Sequence, residues 1–240
     1  MLHEDYDVEI EEIYSPDEEE MIEKRNEYWC AECKIETSEK ECPVCGKETV
    51  EGVPLQVYWC KYCNSPIIHK MNQIDKGICP ICGKKTNYLT TDIRPVFPEE
   101  RLLLEILLDK EPHEFIKSSV WAADSRYYID GKSVLIPSEL FQTADADAIH
   151  EKFNKYQGAN SYKYFNEHIK TFIAANTSRL NYLKTESFEF IRETASKFDE
   201  ERIVISFSGG KDSTVTADVV AKALSNPSLV HIFGNTTLEF

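Results

Sequence analysis

All eight cysteines of this chain fall into four C-x-x-C pairs: Cys30/Cys33, Cys42/Cys45, Cys60/Cys63 and Cys79/Cys82. Two intervening residues let both sulfurs turn toward one ion, and two such pairs complete a tetrahedral set of four thiolates. The surroundings repeat. YWCAEC (Tyr28 to Cys33) precedes CPVCGK (Cys42 to Lys47), and YWCKYC (Tyr58 to Cys63) precedes CPICGK (Cys79 to Lys84). An internal duplication accounts for this pattern. Gly46 and Gly83 supply the tight turn that brings backbone amides near the sulfurs. Eight residues separate the pairs in the first unit and fifteen in the second, spans that a short hairpin bridges.

The two units resemble a tandem pair of zinc ribbons, at residues 26–50 and 51–92. Each is too short to bury an adequate core without a staple. Metal binding, worth on the order of 10–16 kcal/mol in small zinc modules, supplies the missing folding energy. Both sites are therefore expected to be structural and closed. Disulfides belong to oxidising compartments, and no export signal is visible. Thioredoxin-type redox pairs need a βαβ pattern that does not surround these cysteines. Iron in a rubredoxin-like site uses the same knuckles and stays open as an alternative. Trp29, Trp59 and Tyr62 are expected to close the ribbons' small cores rather than stack on bases. His69, between the knuckles of the second unit, is expected at the surface and not as a ligand.

Charge sits unevenly along the 240 residues. The net charge is -15, and residues 1–20 hold ten acids with no lysine or arginine. The remainder carries 27 basic against 32 acidic residues. Residues 1–25 read as a solvated acidic tail. No basic stripe suited to a duplex backbone is evident. No apolar run approaches the roughly 20 residues that cross a bilayer. The expectation is a cytoplasmic protein.

The middle of the chain reads as a linker, a small mixed α/β element over 93–140, and a helical region over 141–198. Asp92 to Pro98 contains two prolines and marks the linker. Leu103, Ile106 and Leu107 recur at helical spacing within Glu99 to Leu108. Asp130-Gly131 between Tyr127–Ile129 and Ser133–Ile136 is a type I′ hairpin signal. Tyr164, Phe165, Ile169, Phe172 and Ile173 predict one amphipathic helix; Leu180, Leu183, Phe188, Phe190 and Ile191 predict another after Asn176. Their stripes are expected to pack on the domain that follows.

Residues 199–240 carry the second chemical signal. Arg202 to Phe207 is a short apolar, β-branched run, followed at once by SGGKDS (Ser208 to Ser213). Val215, Val219, Val220 and Leu224 then recur at helical spacing, and Leu229 to Phe233 forms another apolar run. Strand, glycine turn, helix and strand make one βαβ unit, with the turn at the carboxyl edge where ligands bind. Gly209 and Gly210 allow close approach of an anion. Their N–H groups and the helix N-terminus present positive partial charge. Ser208 and Ser213 offer hydroxyls, and Lys211 a full charge. Asp212 would repel a polyphosphate unless it holds Mg²⁺ or caps the helix. The turn is not a Walker A loop, since Asp212 follows the lysine and the upstream glycine is absent.

This segment resembles the PP-loop superfamily of ATP pyrophosphatases (the adenine nucleotide α-hydrolase-like fold), whose SGG-x-DS signature Ser208 to Ser213 match. Within it, residues 180–240 look most like the phosphoadenosine phosphosulfate (PAPS) reductase family. The resemblance implies that Ser208, Gly209, Gly210, Lys211 and Ser213 contact nucleotide phosphates. It also implies that Asp212 helps place Mg²⁺ and that Ile232 and Phe233 lie near adenine. ATP users of this fold cleave between the α- and β-phosphates and activate a substrate oxygen. PAPS reductases instead use a C-terminal cysteine on sulfur. Lys211 with Asp212 favours ATP and Mg²⁺. Asn235 stands in Gly234–Thr237 where family members often have Asp-Thr, and no cysteine follows Cys82.

The expected fold is α/β: the start of a truncated PP-loop parallel sheet, preceded by two zinc ribbons and a mixed α/β and helical region. The expected function is that of a PP-loop enzyme binding an adenine nucleotide, ATP or PAPS, for sulfur chemistry or adenylating activation, with Lys211 and Asp212 catalytic. The alternative is a zinc-ribbon module for nucleic acid or protein with an inert nucleotide domain.

Overall fold

The computed structural model describes residues 28–137, 140 and 144–233. The acidic tail and the Gly234–Thr237 segment lie outside the described residues. Contacts divide the chain into two compact units, Arg25–Asn181 and one containing Tyr182–Phe240. Among the described residues the architecture is mixed α/β, with small antiparallel sheets, two four-cysteine clusters and one parallel strand pair.

The duplication is visible in three dimensions. Strands β1 (Tyr28–Cys30), β2 (Ile35–Thr37) and β3 (Val50–Glu51) form an antiparallel sheet in the order β2-β1-β3. Strands β4 (Leu55–Cys60), β5 (Ser65–Lys70) and β6 (Asn87–Thr90) repeat it as β5-β4-β6. The registers correspond: Cys30 faces Ile35 as Cys60 faces Ser65, and Trp29 faces Val50 as Trp59 faces Asn87.

A four-stranded antiparallel sheet follows, in the order β10-β9-β8-β7. Its strands are β7 (Arg94–Pro95), β8 (Val120–Ala123), β9 (Arg126–Ile129) and β10 (Lys132–Leu135). Part of the expected linker is thus strand β7. Pro95 is tolerated there because β7 is an edge strand, where a missing donor breaks no central ladder. Asp130 and Gly131 both have positive φ, 49° and 77°, as a type I′ turn requires. Helix α1 (Pro98–Leu107) starts with proline in its first turn and buries Leu102, Leu104 and Ile106. Glu105, which interrupts that apolar run, is fully buried. Its two oxygens accept the amides of His113 and Phe115 at 2.6 and 2.7 Å, which holds the loop after the helix.

Helices α2 (Ala146–Tyr156), α3 (Lys163–Ala175) and α4 (Thr177–Ala195) come next. Asp145 caps α2, its carboxylate accepting the amides of Asp147 and Ala148. The α3 stripe packs backward, on elements that precede it in its own unit. Ile169 and Phe172 lie against a core of Trp59, Trp121, Ala123 and Tyr128. The reason is local: Asn176, at the end of α3, is buried and binds strand β5. Its Oδ1 accepts the Ile68 amide at 2.7 Å, and its Nδ2 donates to the Pro66 carbonyl at 3.2 Å. The second ribbon and the four-stranded antiparallel sheet therefore share one core.

The other unit holds most of α4, strand β11 (Val204–Phe207), helix α5 (Lys211–Ala223) and strand β12 (Val230–Phe233). β11 and β12 pair in parallel, as the crossover through α5 demands. Arg192 Nε donates to the Ala223 carbonyl at 2.9 Å and ties α4 to the end of α5. Phe188, Ile205, Ala223 and Leu229 are buried here.

Candidate metal centres and candidate anion-binding turn

Each ribbon gathers its four cysteines with all ligand atoms within 4.8 Å of one another: Cys30, Cys33, Cys42 and Cys45 in one, Cys60, Cys63, Cys79 and Cys82 in the other. Cys30 and Cys45 sulfurs are 3.6 Å apart, Cys60 and Cys82 3.6 Å, and Cys63 and Cys79 3.7 Å. A tetrahedron with metal–sulfur bonds of about 2.3 Å has edges of roughly 3.8 Å, so the spacing fits a bound ion. A disulfide needs about 2.05 Å, and all eight thiols are free.

The backbone explains why the sulfurs converge. Cys33 and Cys63 amides point at the sulfurs of Cys30 and Cys60 at 3.4 Å. Gly46 and Gly83, both at φ 67°, donate to the carbonyls of Cys42 and Cys79 at 2.8 Å. Lys34 and Asn64 occupy the same left-handed region after the other knuckles, at 54° and 53°.

These thiols are strongly differentiated. Hydrogen bonding with Cys45, helped by burial, pushes Cys33 up to about 12. Burial opposes ionisation of Cys42, yet amides of Cys45 and Val44 outweigh it and bring that thiol down to about 7. In the second ribbon the Lys84 amide brings Cys82 down to about 7, and burial pushes Cys63 up. Crowded sulfurs cannot all ionise unless a cation replaces the protons, which a divalent metal does.

The aromatic residues divide. Trp29 and Trp59 are buried, as expected of core residues, but Tyr62 is 62% exposed. His69 corrects the expectation of a surface residue. It is buried on β5 with its ring against the edge of Tyr58, at a centroid distance of 5.6 Å, and stands outside the cysteine cluster. Its flanking cysteines say nothing about which face of β5 it occupies, and register alone decided that.

The Ser208–Ser213 segment connects the carboxyl end of β11 to α5. Gly209 has φ 78°, a conformation closed to most side chains. Gly210 is the N-cap and contributes no side-chain cap to the first-turn amides. Ser213 and Thr214 hydroxyls donate to the Gly210 carbonyl at 2.9 Å, and Ser208 Oγ lies 3.2 Å from Ser213 Oγ. Asp212 sits in the first turn of α5 without capping it. Lys211 and Asp212 are exposed. In the parallel register Phe207 faces Phe233 and Ser206 faces Ile232. Ile232 and Phe233 therefore stand at the same sheet edge as the turn, and both are more than half exposed.

Sequence reasoning passed over Asn176 and Glu105. Asn176 binds backbone groups more than a hundred residues earlier and Glu105 those of the loop eight and ten residues on, and no local spacing signals either role. No described helix is long and apolar enough to cross a membrane. No family model, curated protein or solved structure matches this chain.

Proposed function

We propose that this chain carries a PP-loop-type adenine-nucleotide site at Ser208–Ser213, with two structural zinc ions in the four-cysteine clusters. The observation that carries the nucleotide reading is the turn itself. A positive-φ glycine, an N-cap without a side-chain cap and a lysine stand together at the carboxyl edge of a parallel strand pair. First-turn amides and the helix dipole favour a phosphate there. Lys211 supplies a charge-assisted contact, and Asp212 a ligand for the Mg²⁺ that accompanies ATP.

The chemistry follows from where negative charge would grow. In an ATP reaction, a substrate oxygen attacks the α-phosphorus, the bond to the bridging oxygen breaks, and pyrophosphate leaves. Lys211, the turn amides and Mg²⁺ would stabilise that leaving charge. With PAPS, the same cradle would hold the nucleotide while an external thiolate attacks the sulfuryl sulfur. The S–O bond to the phosphate breaks, adenosine 3′,5′-bisphosphate leaves, and the thiol carries away an S-sulfonate. The free thiols fit a reducing compartment. Zinc is preferred to iron because it fills closed four-thiolate sites without redox demands.

Calorimetry of the zinc-loaded chain with ATP/Mg²⁺ and with PAPS tests the site. Lys211→Ala should weaken binding by about tenfold or more, the loss of one charge-assisted contact. Loss of the Mg²⁺ requirement in Asp212→Ala would assign the metal contact. No binding of either nucleotide, or equal affinity in wild type and Lys211→Ala, overturns the reading.

A further inference from the structure

The two ribbons share a fold but not a surface. Residues 28–51 hold three lysines against six glutamates; residues 58–90 hold five lysines against one aspartate. The divergence concentrates at the metal-bearing tip. In the first ribbon Glu32 and Lys47 close that tip with an ion pair of 3.0 Å. The repeat register puts Tyr62 where Glu32 stands, Lys84 where Lys47 stands, Lys85 for Glu48 and Lys61 for Ala31. The tip thus loses its internal acid and gains an aromatic ring and two lysines. Lys61, Tyr62, Ile81, Lys84 and Lys85 are all exposed, and Lys61 Nζ lies 5.1 Å from the Tyr62 ring centre.

Folding does not account for this exchange. The first ribbon builds the same four-sulfur cluster with Glu32 neutralising its lysine, so extra cations are not needed to balance thiolate charge. Tyr62 does not close a core: it is largely exposed, whereas Trp59 is buried. We infer that the tip of the second ribbon is a binding surface for single-stranded nucleic acid. An exposed ring offers a stacking platform to any base, and flanking lysines follow the phosphates. A duplex fits less well, because its bases are hidden from a stacking ring and no longer basic stripe is at hand. This inference does not depend on the nucleotide site.

Fluorescence anisotropy of a short labelled single-stranded RNA with the zinc-loaded full chain at low salt tests it. The expected result is salt-sensitive binding. Lys84→Glu with Lys85→Glu should weaken it by about tenfold or more. Tyr62→Ala should weaken it roughly five- to tenfold, with Tyr62→Phe retaining affinity because the ring face is what matters. Lys47→Glu in the first ribbon should leave it unchanged. Metal content measured on each variant separates surface loss from loss of the ribbon. Absence of binding, equal affinity for the duplex of the same sequence, preference for an acidic polypeptide, or a Tyr62→Phe variant as weak as Tyr62→Ala would overturn it.

Discussion

Gly131 and the indole of Trp59 meet in a contact that admits no side chain: a Cβ on Gly131 would lie 2.4 Å from the ring. The contact joins the tip of the β9–β10 hairpin to the second ribbon. Asp130 reinforces it, its Oδ1 accepting from Asn64 Nδ2 at 2.7 Å and from the Ser119 amide at 2.9 Å. A residue selected for the turn is thereby also selected for packing.

Gly131→Ala should therefore destabilise the Arg25–Asn181 unit by about 2–4 kcal/mol, from left-handed backbone strain plus overpacking. Denaturant unfolding measures it. The double variant with Trp59→Phe should recover part of the loss, because neighbours in contact are not additive. A turn variant with no more than a few tenths of a kcal/mol of effect would show that the contact is slack.

The two metal centres should differ in consequence. Elemental analysis is expected to find two ions per chain, and one after either Cys42→Ser or Cys79→Ser. Cys79 packs with Ile67 and Ala175, at the end of α3. Hydrogen exchange over Lys163–Ala175 should thus speed up by about tenfold or more in Cys79→Ser. It should stay unchanged in Cys42→Ser, whose ribbon has no such packing among the described residues. Equal exchange in the two variants would contradict the shared core.

Acid should loosen the junction of β7 with α1. Arg94 donates two 2.7 Å hydrogen bonds to Glu100, and Tyr127 OH donates a third at 2.9 Å. The Arg94 guanidinium, against some burial and with help from Tyr127, holds the Glu100 carboxyl below its ordinary range. A depressed folded value means that the stabilisation is present above the ordinary carboxylate pKa of about 4.3 and is lost as pH falls through the folded value. Tyr127 shifts the other way: burial and then Glu100 push its phenol up. Its contribution is present below about pH 10 and is lost as pH rises through the raised value. Arg94 is largely exposed, so the pair is worth about 1 kcal/mol or less. Unfolding of wild type and Glu100→Gln across pH should show a gap near neutrality that closes in acid. Comparing the two proteins cancels their common loss of metal.

Short-range geometry is legible in the order of residues. Pairs of cysteines with two residues between them dictate knuckles, Asp130-Gly131 dictates a turn of positive φ, and apolar spacing dictates α3 through Ile169 and Phe172. In each case the physics acts within a few residues, so their succession carries it. The SGGKDS turn is of this kind too: its glycines, strand and helix follow from neighbours in the chain.

What the linear order left open is which surfaces meet. His69 is inside because of register on β5, not because of its neighbours. Asn176 fastens α3 to a strand more than a hundred residues earlier, and among the described residues the second ribbon, not its twin, joins the core of the four-stranded sheet. Such pairings depend on burying apolar area jointly and on satisfying backbone groups brought together from distant segments. Periodicity along one stretch holds no record of its partner. The chain alone thus determined the four-cysteine knuckles and the glycine turn, and tertiary packing, by burying apolar area jointly, decided which ribbon is built into the core of the neighbouring sheet.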